Sequence, residues 1–125
     1  AGDAVLLHFA ALLQGVVREG VDSVVRYGGE EFLLVLPDTG LEAGVQLAEW
    51  LRTRFGAAPV PAGPEGVPVQ VSASFGVAAR GAGGVSPHAL IGAADKLMYA
   101  AKSKGRDRVE ALAMPVAPAP LAAAA

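Results

Sequence analysis

The sequence contains no cysteine, which excludes disulfide staples and thiolate metal sites and agrees with a cytoplasmic protein. Charge is scarce as well. Only 18% of residues are Asp, Glu, Lys or Arg, and they leave a net charge of -2, so nothing draws the chain to a nucleic-acid backbone and no nucleic acid is expected as a partner. Although 53% of the residues are hydrophobic, they are mostly Ala and Val spread along the chain. They nowhere form an uninterrupted run of about 18, and no membrane-spanning helix is expected. No basic lead precedes the first apolar segment, so the pattern of a secretory signal is also missing.

What is present fits one domain. A chain of 125 residues buries roughly two-thirds of its unfolded surface and folds without staples. Its first residue is Ala rather than Met, inside what reads as a helix cap, which is the expectation for a piece of a longer protein. From Met114 the chain alternates Pro and Ala and closes in four alanines. Residues 113–125 are therefore expected as a disordered tail and residues 1–112 as the domain.

Val5, Leu6, Phe9, Leu12, Leu13, Val16 and Val17 recur at helical spacing, with Asp3 placed as N-cap and Gly20 as the stop. Ser23–Tyr27 and Glu31–Leu36 are rich in β-formers and flank Gly28 and Gly29, a β-hairpin with a type I′ or II′ turn. Pro37, Asp38 and Thr39 open a second helix to about Phe55, with Leu41, Val45, Leu47, Ala48 and Leu51 as its apolar stripe. Pro and Gly make 56–66 a loop. Strict alternation from Val67 to Val77 predicts one long strand. Ser86 and Pro87 start a third helix that runs to about Lys102 and is ended by Gly105. Arg108–Leu112 is placed as a final edge strand. The order α-β-β-α-β-α-β gives an α/β fold, an α+β sandwich of helices on a mostly antiparallel central sheet.

The hairpin segment "RYGGEEF" poses a chemical question, because Glu30 and Glu31 repel unless water or a cation compensates. A solvated turn supplies water, and for an isolated pair that account suffices. Beside two glycines a second account opens. A polyphosphate can lie against the backbone N–H groups of Gly28 and Gly29, with both glutamates beside it as hard oxygen ligands for Mg²⁺. Asp95, Tyr99, Lys102 and Arg106 fall on one stripe if the last helix persists, and Lys102 and Arg106 then offer cations to the phosphates. The rival role of these two is to complement the helix dipole.

"RYGGEEF" at 26–32, "SASFGVA" at 72–78 and "ADKLMYAAKSKGRDRV" at 94–109 resemble, in order and spacing, the three landmark segments of the GGDEF domain, the diguanylate cyclase fold. The resemblance covers residues 1 to about 110. It implies a nucleotide-cyclase-like domain that condenses two GTP into cyclic di-GMP and two pyrophosphates, each protomer of a homodimer holding one GTP. Gly28 and Gly29 then pass close to GTP. Glu30 binds catalytic Mg²⁺ (or Mn²⁺) and takes the 3′-hydroxyl proton, Glu31 helps hold the metal, and Lys102 and Arg106 steady the phosphates. Asp3 matches an aspartate that accepts from the guanine edge. The implied reaction is in-line attack on the α-phosphorus with metal ions stabilising the attacking and leaving oxygens.

The family pattern begins with a strand and helix that carry an aspartate ligand and a guanine-reading asparagine, and this sequence starts just after them. The resemblance thus implies a domain without its first strand and helix, inactive as an isolated chain. It also implies an upstream sensor or receiver domain in the parent protein, which is cytoplasmic or anchored to a membrane. Many members carry an inhibitory "RxxD" product site ahead of the hairpin. Here that register holds Glu19 and Asp22, with Arg18 one position out, so no feedback inhibition is expected there. His8 and His88 each stand alone and read as surface or helix-end residues. Trp50 reads as half-buried packing. Ser72 and Ser74, without a neighbouring His, read as one strand face rather than nucleophiles. The competing function is a non-catalytic module that binds GTP or cyclic di-GMP, or that dimerises.

Overall fold

The computed structural model describes residues 2–61, 64–81 and 84–114. In chain order these form α1 (Gly2–Val16), β1 (Ser23–Gly28), β2 (Glu31–Val35), α2 (Leu41–Gly56), β3 (Val60–Pro61), β4 (Pro68–Val69), β5 (Phe75–Arg80), α3 (Pro87–Ser103) and β6 (Val109–Met114). Helices interleave with strands, as the α/β expectation requires. The ladders are three two-stranded sheets, with β1–β2 and β3–β4 antiparallel and β5–β6 parallel. Two compact units result, one of residues 1–39 and 50–73, the other of residues 40–49 and 74–125.

In the first unit Leu13, Leu51, Phe55 and Val60 are buried. The Phe9 ring stands edge-on to Phe55, centroids 4.7 Å apart, and to Phe32, 5.6 Å apart, the geometry the ring quadrupoles favour. His8 is exposed, as expected of a surface histidine, with its ring centroid 5.9 Å from that of Phe55. Helix α1 begins at Gly2 and ends at Val16, which corrects both expected boundaries. Asp3 falls inside the first turn rather than at the cap, and its side chain lies outside the described residues. The early stop has a local cause. The Arg18 N–H, which a continuing helix would send back four residues, is captured by the Asp22 carboxylate at 2.7 Å, while Asp22 N–H bonds to Arg18 O at 2.9 Å. A turn therefore forms where Gly20 was expected to end a helix.

Alternation from Val67 to Val77 does not produce one long strand. Ladder bonds occur only at Pro68–Val69 and Phe75–Arg80, although burial still alternates from Pro68 to Ala73. Alternation records which side of an extended chain is covered; a strand also needs a neighbour to bond with.

In the second unit α3 lies on the β5–β6 pair, and strand and helix come close at Gly76. A Cβ there would fall inside the backbone of Ala94 and Met98, so only glycine lets β5 and α3 come this near. Ser86 caps α3, its hydroxyl accepting the Ala89 N–H at 3.1 Å, and Pro87 occupies the first turn, as the sequence predicts. Ala48 and Ala101 are buried here. The edge strand β6 runs through Met114, two residues past the expected domain edge. The rest of the expected tail, 115–125, lies outside the described residues.

Candidate functional site

The tip of the β1–β2 hairpin is built by three local features. Gly28 pairs with Glu31, while Tyr27 falls out of the register between Arg26 and Gly28, a β-bulge that adds twist just before the turn. Gly28 thus ends β1, and the turn consists of Gly29 and Glu30 rather than the two glycines. Gly29 has φ +44° and Glu30 is not among the residues of positive φ, the sign pattern of a type II′ turn with glycine first. Arg26 reaches back over the turn, its Nε–H donating to Gly29 O at 2.8 Å and its Nη2 to the same oxygen. Its guanidinium also lies 5.9 Å from the Phe32 ring centre, and Phe32 is itself held by Phe9.

The consequence for the two glutamates follows from strand geometry. Successive side chains leave a strand on opposite faces, so Glu31 points away from the face that Phe32 commits to the aromatic cluster. Glu31 is half-buried and Glu30 is exposed at the turn. Beside them, a Cβ at Gly28 or at Gly29 meets nothing within 4 Å. An anionic ligand therefore has open access to the main chain next to two carboxylates. Among the described residues no three His, Asp or Glu side chains form a group that could hold a metal ion. Two adjacent carboxylates still fit Mg²⁺, which keeps several waters and takes one or two carboxylates together with substrate phosphates.

The basic residues lie in the second unit. Lys102 is in the last turn of α3, half-buried, and Arg106 is exposed. Arg106 does not continue the stripe of Asp95, Tyr99 and Lys102, because α3 ends at Ser103 with Lys104 as its cap. Gly105, Arg106 and Asp107 follow with φ of +120°, +63° and +47°. Three successive residues in this region turn the chain sharply into β6. Arg106 N–H bonds to Ala101 O at 2.9 Å. The sequence-predicted residues thus fall into two groups: Asp3, Gly28, Gly29, Glu30 and Glu31 in the first unit, and Lys102 and Arg106 in the second.

Sequence reasoning passed over three features. Arg26 braces the turn, which a cation two residues before a glycine pair could have signalled. Ser74, read as strand face, precedes β5 and accepts the Asp107 N–H at 3.1 Å; no local pattern announces a bond across 33 positions. Arg18 and Asp22 form an ion pair at 2.7 Å, and Asp22 is 3% exposed at its side chain. The Arg18 guanidinium also donates to Pro37 O at 2.8 Å and Thr39 Oγ1 at 3.1 Å. Hydrogen bonds from the Arg18 side chain, and then from its backbone, hold the Asp22 carboxyl below the usual carboxylate range, and the same side-chain bond raises Arg18. Trp50 is 45% exposed, with the Arg54 guanidinium 5.0 Å from its ring centre.

Residues 1–108 match the family model described as "Diguanylate cyclase, GGDEF domain". The chain is 39% identical over 108 residues to the response regulator PleD of Caulobacter vibrioides, covering 86% of this chain and 24% of that protein. It is 42% identical over 110 residues to the diguanylate cyclase DgcP of Pseudomonas aeruginosa, covering 88% of this chain and 16% of that one. The chain thus spans about a quarter or less of these relatives. Among solved structures it is similar to the coiled coil and GGDEF domain of DgcB from Caulobacter crescentus in complex with c-di-GMP. That likeness has a TM-score of 0.74 at 27% identity, over 87% of this chain and 56% of that one.

Proposed function

The chain belongs to the GGDEF, diguanylate cyclase, family, and from that membership we propose that it is a catalytic domain joining two GTP into cyclic di-GMP with release of two pyrophosphates. The observation that carries this reading is the hairpin tip, where Glu30 and Glu31 adjoin two glycines whose Cβ positions open onto free space. Gly28 and Gly29 admit the polyphosphate to the main chain. Glu30, exposed at the turn, accepts the 3′-hydroxyl proton, and Glu30 and Glu31 are the residues that would hold Mg²⁺ or Mn²⁺. The metal, when bound, supplies Lewis-acid stabilisation of phosphoryl oxygens. Lys102 and Arg106 meet the phosphate charge, Arg through its fork and Lys as a point charge, and Asp3 accepts from the guanine edge.

Each protomer of a homodimer holds one GTP, so turnover requires two copies. In the parent protein an upstream sensor or receiver domain sets their pairing, and the domain works in the cytoplasm. Among the described residues no helix is long and apolar enough to cross a membrane. The isolated chain is proposed to be inactive. That no third acidic group joins Glu30 and Glu31 among the described residues favours a second reading: a module that binds GTP or cyclic di-GMP, or dimerises, without turnover.

Chromatography of products formed from GTP and Mg²⁺ separates the two readings, comparing this chain with the protein expressed from its native start. Cyclic di-GMP from the longer protein supports the cyclase; its absence from both leaves the binding module.

A further inference from the structure

The turn between α3 and β6 holds two non-glycine residues, Arg106 and Asp107, at positive φ directly after Gly105 at +120°. Such backbone is unfavourable for L-residues and persists only where surrounding bonds over-determine it. Asp tolerates it better than most; Arg has no such excuse. The bonds that hold the turn come from both sides. On the helix side Arg106 N–H bonds to Ala101 O at 2.9 Å. On the strand side the Ser74 hydroxyl accepts the Asp107 N–H at 3.1 Å, and Arg108 Nε–H donates to Arg106 O at 3.3 Å. The Arg108 carbonyl then accepts Phe75 N–H at 2.9 Å, beginning the β5–β6 ladder one residue after Ser74. Arg108 is half-buried while Arg106 is exposed, so the two arginines, two positions apart, are used differently. One braces the backbone and the other is displayed.

We propose that Ser74 and Arg108 are positioning residues for Arg106, holding the strained turn so that its guanidinium is presented to the polyphosphate of a guanine nucleotide. The inference rests on the cyclase reading above. Without the Ser74 hydroxyl the Asp107 N–H loses the 3.1 Å bond that joins the turn to the strand side, and the turn can relax toward ordinary φ values. Relaxation re-aims Arg106 without removing it.

The test uses the protein expressed from its native start, with Ser74→Ala, Ser74→Thr, Arg106→Ala and the Ser74→Ala/Arg106→Ala double variant. KM and kcat for GTP and the thermal midpoint are read for each. The expected result is a KM about five- to tenfold higher in Ser74→Ala, the scale of one lost hydrogen bond, with kcat changed less. Ser74→Thr, which keeps the hydroxyl, returns KM to the native value. In the Arg106→Ala background, Ser74→Ala has no further effect on KM, because the residue it positions is gone. An unchanged KM in Ser74→Ala, or effects that add in the double variant, overturns the proposal. If Ser74→Ala does not fold, Arg108→Lys takes its place, keeping the charge and losing the Nε donor, and is read by the same criteria. Failure of the underlying reading looks different: the unaltered protein makes no cyclic di-GMP, and Arg106→Ala leaves GTP binding as it was.

Discussion

Asp22 folds back onto Arg18, accepting its backbone N–H at 2.7 Å and its guanidinium through both carboxylate oxygens. One carboxylate thereby ends a helix, shapes the approach to β1 and, through Arg18, ties that approach to Pro37 and Thr39.

This pairing makes stability depend on acid. The Asp22 carboxyl is held below its ordinary value by Arg18, so its contribution is present in full above the unfolded value of about 3.9 and fades as pH falls below that toward the folded value. Urea denaturation of the native protein and Asp22→Asn across pH 2 to 7 (about the range needed) should show the gap between them narrowing only below about pH 4. A gap independent of pH would remove the pairing as its source.

The same pairing bears on product control. Asp22 and Arg18 already satisfy one another, so cyclic di-GMP is expected not to bind tightly through them, and Asp22→Ala should leave its affinity unchanged in calorimetric titration. Tight binding that vanishes in Asp22→Ala would show that the pair opens for product.

Gly28 and Gly29 separate two effects of a side chain. Gly29 has φ +44°, so Gly29→Ala should cost about 1 kcal/mol of stability through its backbone alone. Gly28 lacks positive φ and has nothing within 4 Å of its Cβ position, so Gly28→Ala should leave the urea midpoint nearly unmoved. If GTP lies along this main chain, Gly28→Ala still lowers kcat/KM. Full activity in Gly28→Ala would place the nucleotide elsewhere.

Glu30→Gln keeps size and removes the carboxylate to which the cyclase reading gives the 3′-hydroxyl proton. Because Glu30 is exposed at a turn, the thermal midpoint should hold while cyclic di-GMP formation falls by about 10²- to 10⁴-fold, the range for loss of a general base. Activity within a few-fold of the native protein would assign the proton to another group.

Gly76→Ala tests the fold rather than the site. The added methyl has to displace backbone of α3, so the loss is expected at the upper end of the usual overpacking range of about 1–3 kcal/mol, or beyond it. Urea unfolding measures it, and a midpoint shift below a few tenths of a molar would mean that α3 lifts away without cost.

Local signals were the legible ones. Ser86 and Pro87 announce the start of α3, Gly105 its end, and β-formers around two glycines announce the hairpin, because capping, helix termination and turn formation are decided within a few residues. Helix α1 misled because its stop is the Arg18 N–H donating to the Asp22 carboxylate, and an Arg and Asp four apart suit a continuing helix equally well. The parallel pairing of β5 with β6 and the Ser74 bond to Asp107 join segments more than thirty positions apart, and no periodicity carries that information. The expected site was legible in its residue types. Its geometry was less so: Glu30 occupies the turn, Arg106 lies beyond the helix, and the Arg26 brace was not anticipated.

The contact at Gly76 has a consequence for motion. Where strand meets helix main chain to main chain, no side-chain layer lies between them to yield, and small sliding displacements meet hard repulsion at once. β5 and the facing turn of α3 are therefore expected to open together or not at all, as one cooperative block whose amide protons exchange at a common rate. The left-handed turn joining α3 to β6 is bonded to Ala101 on one side and to Ser74 on the other, each next to that block, so Arg106 is expected to move with it.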